Sequence, residues 1–129
     1  MTIAGIGVDL VHVPSFAAQL DQPGSRFEGV FLPGERSDAR SRPSDSARHF
    51  AARWAAKEAV VKAWSASMFG DAPVMSEHVH HLIELVADAW GRPRIRLHGE
   101  VAKHLEGHSI EVSLSHDGDY AIAYVILSR

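Results

Sequence analysis

Along this chain of 129 residues, apolar positions follow a helical rhythm in the first half and short strand-like blocks in the second. The longest regular stretch is HFAARWAAKEAVVKAW, from His49 to Trp64, which holds no Gly, Pro, Asn or Asp. Its Ala, Lys, Glu and Arg content gives high helix propensity throughout. Ser44, Asp45 and Ser46 stand just upstream as candidate N-caps. At about 100° per residue, Phe50, Trp54 and Val61 share one apolar stripe. Ala52, Ala56, Ala59, Val60 and Ala63 form a second, small-residue surface that lets another backbone come close. A helix apolar on two sides is expected to be buried on both. It nonetheless carries Arg53, Lys57, Glu58 and Lys62, paired one turn apart as Arg53/Lys57 and Glu58/Lys62. Two readings stand side by side. One is ordinary surface ion pairs, which a helix taken alone favours; the other is a site where cations meet phosphate and a carboxylate meets a metal.

The flanking segments supply the rest of an α+β domain. Thr2 to Val11 reads as a strand in which Gly5 and Gly7 weaken the element or admit a close neighbour. Asp9 lies near its end, where capping the following helix (Pro14 to Leu20) is the simplest role for a carboxylate. Asp21 to Gly24 is a turn, Arg26 to Leu32 a short amphipathic piece, and Pro33 opens a short helix with Glu35 in its first turn. Arg40 to Asp45 reads as a mobile polar loop, and Trp64 to Ser76 as a helix end and long connection. His81 to Ala87 and Pro93 to Leu97 form a hairpin-like pair around the turn Asp88 to Arg92. Gly99 to Leu105 is a short helix, followed by strands Ile110 to Leu114 and Tyr120 to Leu127. The last, YAIAYVIL, is apolar on both faces and is therefore expected to be central. The predicted architecture is one domain spanning 1–129, an antiparallel sheet with the long helix packed across one face.

Composition narrows the chemistry. With no cysteine, thiolate catalysis, disulfides and Cys-based zinc sites are excluded. The N-terminus lacks the basic segment of a signal peptide and no apolar run is long enough to span a membrane, so the cytoplasm is the expected compartment. Net charge is −3, yet Arg36 to Lys62 carries seven basic residues against three acids. A local positive field on an acidic protein points to an anionic ligand. It is too small a field for duplex DNA.

Five motifs occur in order: GIGVDL at 5–10, FLPGE at 31–35, F-x-x-R-W-A-A-K-E-A-x-x-K-A at 50–63, W-G-R-P at 90–93 and S-L-S-H-x-x-x-Y-A at 113–121. Together they resemble the holo-acyl-carrier-protein synthase family, the small phosphopantetheinyl transferases, from Gly5 to Leu127. The resemblance implies transfer of the phosphopantetheine arm of coenzyme A to a serine of an apo acyl carrier protein, in support of fatty acid biosynthesis. It implies that Asp9 and Glu58 hold Mg²⁺ on the pyrophosphate and that Lys62 lies close to the phosphates. It further implies that Arg53, Lys57 and His116 contact coenzyme A and that Gly91, Arg92 and Pro93 shape the adenine pocket. Family members of this short type are homotrimers with sites between adjacent subunits. The chemistry is consistent with such a set: Mg²⁺ prefers oxygen and needs only one or two carboxylates beside substrate oxygens. Phosphoryl transfer is mostly positioning and charge stabilisation. The residue that takes the serine proton stays open between Glu58 and a water on the metal.

One departure stands out. The family usually continues G-x-D with an acidic residue and an arginine facing the carrier, whereas this chain has VHVPSF and no cation before Arg26. Arg26, Arg36, Arg40 and Arg48 are the substitutes expected to meet an acidic carrier. His78, His80 and His81 form an H-x-H-H run that could ligate zinc, though a solvated connector is the simpler reading. Two other functions remain: a non-catalytic module binding carriers or nucleotides, and a small Mg²⁺-dependent phosphohydrolase. The reading turns on whether Asp9 and Glu58 converge.

Overall fold

The computed structural model describes residues 1–25 and 27–129, so Arg26 lies outside the described residues. Strand β1 (Ile3–His12) leads into helices α1 (Val13–Leu20), α2 (Phe27–Val30) and α3 (Pro33–Arg40). The long helix α4 (Ser46–Ser67) follows, then β2 (Ile83–Ala87), β3 (Pro93–Leu97), α5 (Gly99–His104), β4 (Ser109–Asp117) and β5 (Tyr120–Ser128). The antiparallel sheet runs β1-β5-β4, and β2 and β3 form a separate hairpin. As the apolar pattern predicts, β5 is the middle strand; it pairs with β1 from Ile3↔Ser128 to His12↔Tyr120 and with β4 from Ser109↔Ser128 to Asp117↔Tyr120.

Helix α4 lies across β1 and β5, and two glycines set how closely. A Cβ on Gly7 would collide with the carbonyl oxygen of Ala59, and one on Gly5 with that of Ala63. Backbone therefore rests on backbone, with only hydrogen and methyl groups between. The same face of β1 carries Gly5, Gly7, Asp9 and Val11, because side chains alternate along a strand, and Gly5, Gly7 and Val11 are buried. The apolar residues Ile6, Val8 and Leu10 point the other way and are 45–60% exposed.

Several boundaries differ from the sequence pattern for local reasons. Helix α4 begins at Ser46, with Asp45 as the flanking residue, and runs three residues past Trp64. The stretch Arg40 to Asp45 is more ordered than expected: α3 extends through Arg40 and a 3₁₀ turn spans Pro43–Asp45. Strand β2 starts at Ile83 because His80–Leu82 forms another 3₁₀ turn. Helix α1 is capped by His12, whose Nδ1 accepts the Ser15 N–H at 3.3 Å. That leaves the Asp9 carboxylate out of the capping role.

The largest correction concerns Lys57. Expected at coenzyme A, it is instead fully buried, its ammonium 2.7 Å from the equally buried Glu35 carboxylate. The ammonium also donates to the carbonyls of His80, at 3.0 Å, and Ile83. Glu35 accepts the Leu32 N–H at 3.0 Å and the Leu85 N–H at 3.1 Å. Every oxygen and nitrogen of the pair is thus occupied, as a buried charge pair requires, and none is left for a ligand. Around it, Phe16, Phe31 and Phe50 meet edge to face, with centroids 6.5 Å and 4.9 Å apart.

Two stability predictions follow from these contacts. Gly7→Ala should destabilise the fold by about 3 kcal/mol or more through overpacking, whereas Gly29→Ala, where a Cβ meets nothing within 4 Å, should stay near neutral in urea denaturation. Lys57→Met should cost about 3–5 kcal/mol by stranding the Glu35 charge. Adding Glu35→Leu should restore part of that loss; a double variant as unstable as the sum of the singles would refute the pairing.

Candidate active site

The close seat of α4 on β1 brings chemistry together. Asp9, on the inward face of β1, lies 3.1 Å from the Lys62 ammonium, which also donates to the Val8 carbonyl at 3.0 Å. Glu58 sits one turn before Lys62 and lines the same cleft as Asp9. Two carboxylates 49 positions apart in the chain thus converge beside one lysine. Burial raises the pKa of Asp9, against the lowering pull of Lys62. The pKa of Glu58 is lowered, chiefly by His80, whose Nε2 lies 3.3 Å from Glu58 Oε1. The two acids are pushed apart in acidity while sharing one cleft, a feature of functional sites.

A second cleft of about 430 Å³ opens on the far side of α4. Arg53 and His116, which the family resemblance assigns to coenzyme A, line it together with Gly91 and Pro93. Arg48, expected at the carrier surface, also lines it and lies 3.0 Å from His116 Nδ1. Arg42 adds to its positive wall, and His49 lines it beside the arginines. Burial, then Arg53, Arg42 and Arg48, lowers the pKa of His49. Arg53 is held by the His49 carbonyl at 3.2 Å and by Asp38 at 3.4 Å, while its Nε is buried without a hydrogen-bond partner. An orphaned guanidinium nitrogen in a basic cleft is suited to an incoming anion. Arg92 does not line the cleft; it pairs with Asp88 at 2.5 Å and covers the Trp90 ring at 5.1 Å.

The sequence pattern of the 4'-phosphopantetheinyl transferase superfamily matches residues 5–125. The chain belongs to that superfamily. It is 59% identical over 127 residues to the holo-[acyl-carrier-protein] synthase of Mycobacterium ulcerans, covering 98% of both chains. Among solved structures it resembles the acyl carrier protein synthase of Mycobacterium tuberculosis, with a TM-score of 0.83 and 52% identity, covering 98% of this chain and 97% of that one. It also resembles a synthase–coenzyme A complex from Chronobacterium ammoniagenes, with a TM-score of 0.89 and 45% identity over 96% of each chain.

Within this phosphopantetheinyl transferase, the predicted residues divide between the two clefts. Asp9, Glu58 and Lys62 line one, whereas Arg53, Gly91, Pro93 and His116 line the other, and the two share no residue among those described. Arg36 and Arg40 lie on α3, with Arg40 exposed and its guanidinium 5.8 Å from the Phe50 ring centroid. Sequence reasoning missed Arg42 and His49, although His49 stands one turn before Arg53 and so shares its face. His80, which the sequence offered within an H-x-H-H run as a zinc candidate or a solvated connector, instead stacks its ring on Trp54 with centroids 4.6 Å apart.

The raised pKa of Asp9 carries a signed consequence. A folded-state pKa above the unfolded value means that stability falls as pH rises from the ordinary carboxylate range through the raised value. Asp9→Asn should therefore be more thermally stable than the parent at pH 7, and the gain should vanish under acid conditions where both are uncharged. The same variant should lose transfer activity. A melting temperature lower than the parent's at pH 7 would show Asp9 to be a structural residue.

Proposed function

We propose that this chain transfers the 4'-phosphopantetheine arm of coenzyme A to a serine hydroxyl of an apo acyl carrier protein, with Mg²⁺ as cofactor. The observation that carries the reading is the convergence of Asp9 and Glu58 with Lys62 in one cleft. The serine oxygen gives up its proton to a water at the site and forms a bond to the phosphorus that bears pantetheine, and the bond from that phosphorus to the bridging oxygen breaks. Adenosine 3',5'-bisphosphate leaves with the electron pair. Negative charge grows on the bridging and terminal oxygens, and fixed positive charge is what lowers the barrier.

The donor set suits Mg²⁺: two hard oxygen ligands, one of them desolvated and drawn to a nearby cation, with room for substrate oxygens. Held by Asp9 and Glu58, the ion would neutralise charge on the pyrophosphate. Lys62 adds a mobile positive charge; its side chain is half exposed and can swing from Asp9 to a phosphate. A lowered pKa keeps Glu58 ionised, which favours metal ligation and makes it a weak proton acceptor. Arg48, Arg53 and His116 would bind the phosphate-bearing nucleoside, with the Gly91 to Pro93 backbone beside the base.

A homotrimer accounts for both the divided site and an uncovered surface. Val8 and Leu10 of β1 stand opposite Tyr124 and Ile122 of β5, forming an apolar sheet face 36–60% exposed in the single chain. Such a face marks an interaction surface, and a neighbouring copy seated there could set its nucleotide cleft against the Asp9–Glu58 cleft. The carrier, acidic by nature of the expected contact, would dock near Arg36 and Arg40. No helix among the described residues is long and apolar enough to cross a membrane.

Incubation with coenzyme A, Mg²⁺ and an apo carrier should add the mass of phosphopantetheine to the carrier serine, read by intact-protein mass spectrometry. Asp9→Ala and Glu58→Ala should each lower the rate on the order of a hundredfold or more, and chelation of Mg²⁺ should abolish it. Modification without divalent metal would reject the metal role. Val8→Lys should convert a trimer to monomers in light scattering, with activity lost in parallel; an active monomer would reject the shared site.

A further inference from the structure

Three residues of α4 on one face, Trp54, Lys57 and Glu58, all hold His80, which arrives from the 3₁₀ turn before β2. Trp54 stacks beneath the imidazole at an interplanar angle of 29°. Lys57 fixes the His80 carbonyl at 3.0 Å and is itself locked by Glu35. Glu58 Oε1 lies 3.3 Å from Nε2. That nitrogen is buried and makes no aligned hydrogen bond, so Glu58 is its nearby anion and a small rotation would complete the bond. Both His80 and Glu58 also line a cleft of about 740 Å³ that adjoins the Asp9 cleft and shares Trp54 and Phe27 with it.

A glutamate has three rotatable side-chain bonds, and Glu58 is 29% exposed, so its packing alone does not fix one rotamer. We infer that His80 is a positioning residue: it engages one carboxylate oxygen of Glu58 and thereby presents the other toward Asp9, ready to share a cation. The inference rests on the metal role given to Asp9 and Glu58 above. Groups that orient metal ligands in this way commonly govern affinity as strongly as the ligands' neighbours allow, on the order of 10–100-fold. The buried Lys57–Glu35 pair then has a functional consequence, because it fixes the backbone from which the imidazole reaches.

Two substitutions separate the nitrogen from the ring. His80→Phe keeps an aromatic face on Trp54 and deletes both nitrogens; His80→Gln restores a donor without the ring. Mg²⁺ binding to each purified variant in the presence of coenzyme A is measured by calorimetry, alongside melting temperature and steady-state kinetics. His80→Phe is expected to melt with the parent, bind Mg²⁺ about tenfold more weakly and lose kcat to a similar degree, with KM for the carrier unchanged. His80→Gln is expected to recover most of both losses. His80→Leu provides a second nitrogen-free side chain should Phe not be accommodated. Parental Mg²⁺ affinity in either folded nitrogen-free variant overturns the inference, as does equal loss in the Gln and Phe variants accompanied by lowered melting temperature. Asp9→Asn is the reference: if it binds Mg²⁺ as the parent does, the metal site itself is misplaced, a failure distinct from that of His80.

Discussion

The seat of α4 on β1, backbone against backbone, is the constraint on which the rest of the structure depends. Any side chain at position 5 or 7 would lift the helix from the strand by the width of a methyl group or more. Asp9 and Lys62 would then separate from their 3.1 Å contact, because both project from the elements that part. Packed interiors transmit such shifts and do not absorb them. The small residues Ala59 and Ala63 on the helix complement the glycines, so hydrophobic burial at this contact is modest. What the arrangement supplies is precision: two rigid elements placed close enough for Asp9 and Glu58 to line one cleft.

A second constraint holds the opposite flank of the helix. The Lys57–Glu35 pair ties α4 to α3 and, through carbonyl and amide bonds, to the start of β2. Replacing such a pair with apolar side chains is often neutral or favourable in stability alone. Its presence here therefore calls for a reason beyond stability, and the one visible is geometric. The directional bonds of Lys57 define where His80 leaves the chain, whereas a hydrophobic contact would leave that turn free to slide.

Much of this was legible in the residues, and the misses have physical causes. The helical rhythm located α4, and the two-sided apolarity of Tyr120 to Leu127 identified the middle strand. Asp9 and Glu58 were singled out by the family resemblance of their motifs, Asp9 alone reading as a simple cap, and both line one cleft. Lys57 was misjudged because its neighbours in sequence, Glu58 and Lys62, sit at a cleft, and periodicity does not say which flank of a doubly buried helix meets solvent. Its partner Glu35 reads as an ordinary first-turn acid, and only tertiary packing reveals the pair. Arg48 shows the same limit: charge counting places it in a basic stretch without choosing between an open surface and the cleft it shares with Arg53 and His116.

The outward face of the sheet extends that lesson to assembly. Ile6, Val8 and Leu10 are the apolar positions of the strand pattern, yet they face away from α4. Alternation on a strand reports that a face is apolar; it does not report whose atoms cover it. In β1 the inward positions went to two glycines and an aspartate, dictated by helix approach and by the site. The apolar residues remained on the other face, where a single chain has nothing to lay over them. Leaving that much apolar surface in water is unfavourable by roughly 25 cal/mol per Å², so the strand that builds the cleft also carries a face that favours a covering partner. Site construction and an uncovered apolar surface are thus the two faces of one ten-residue strand.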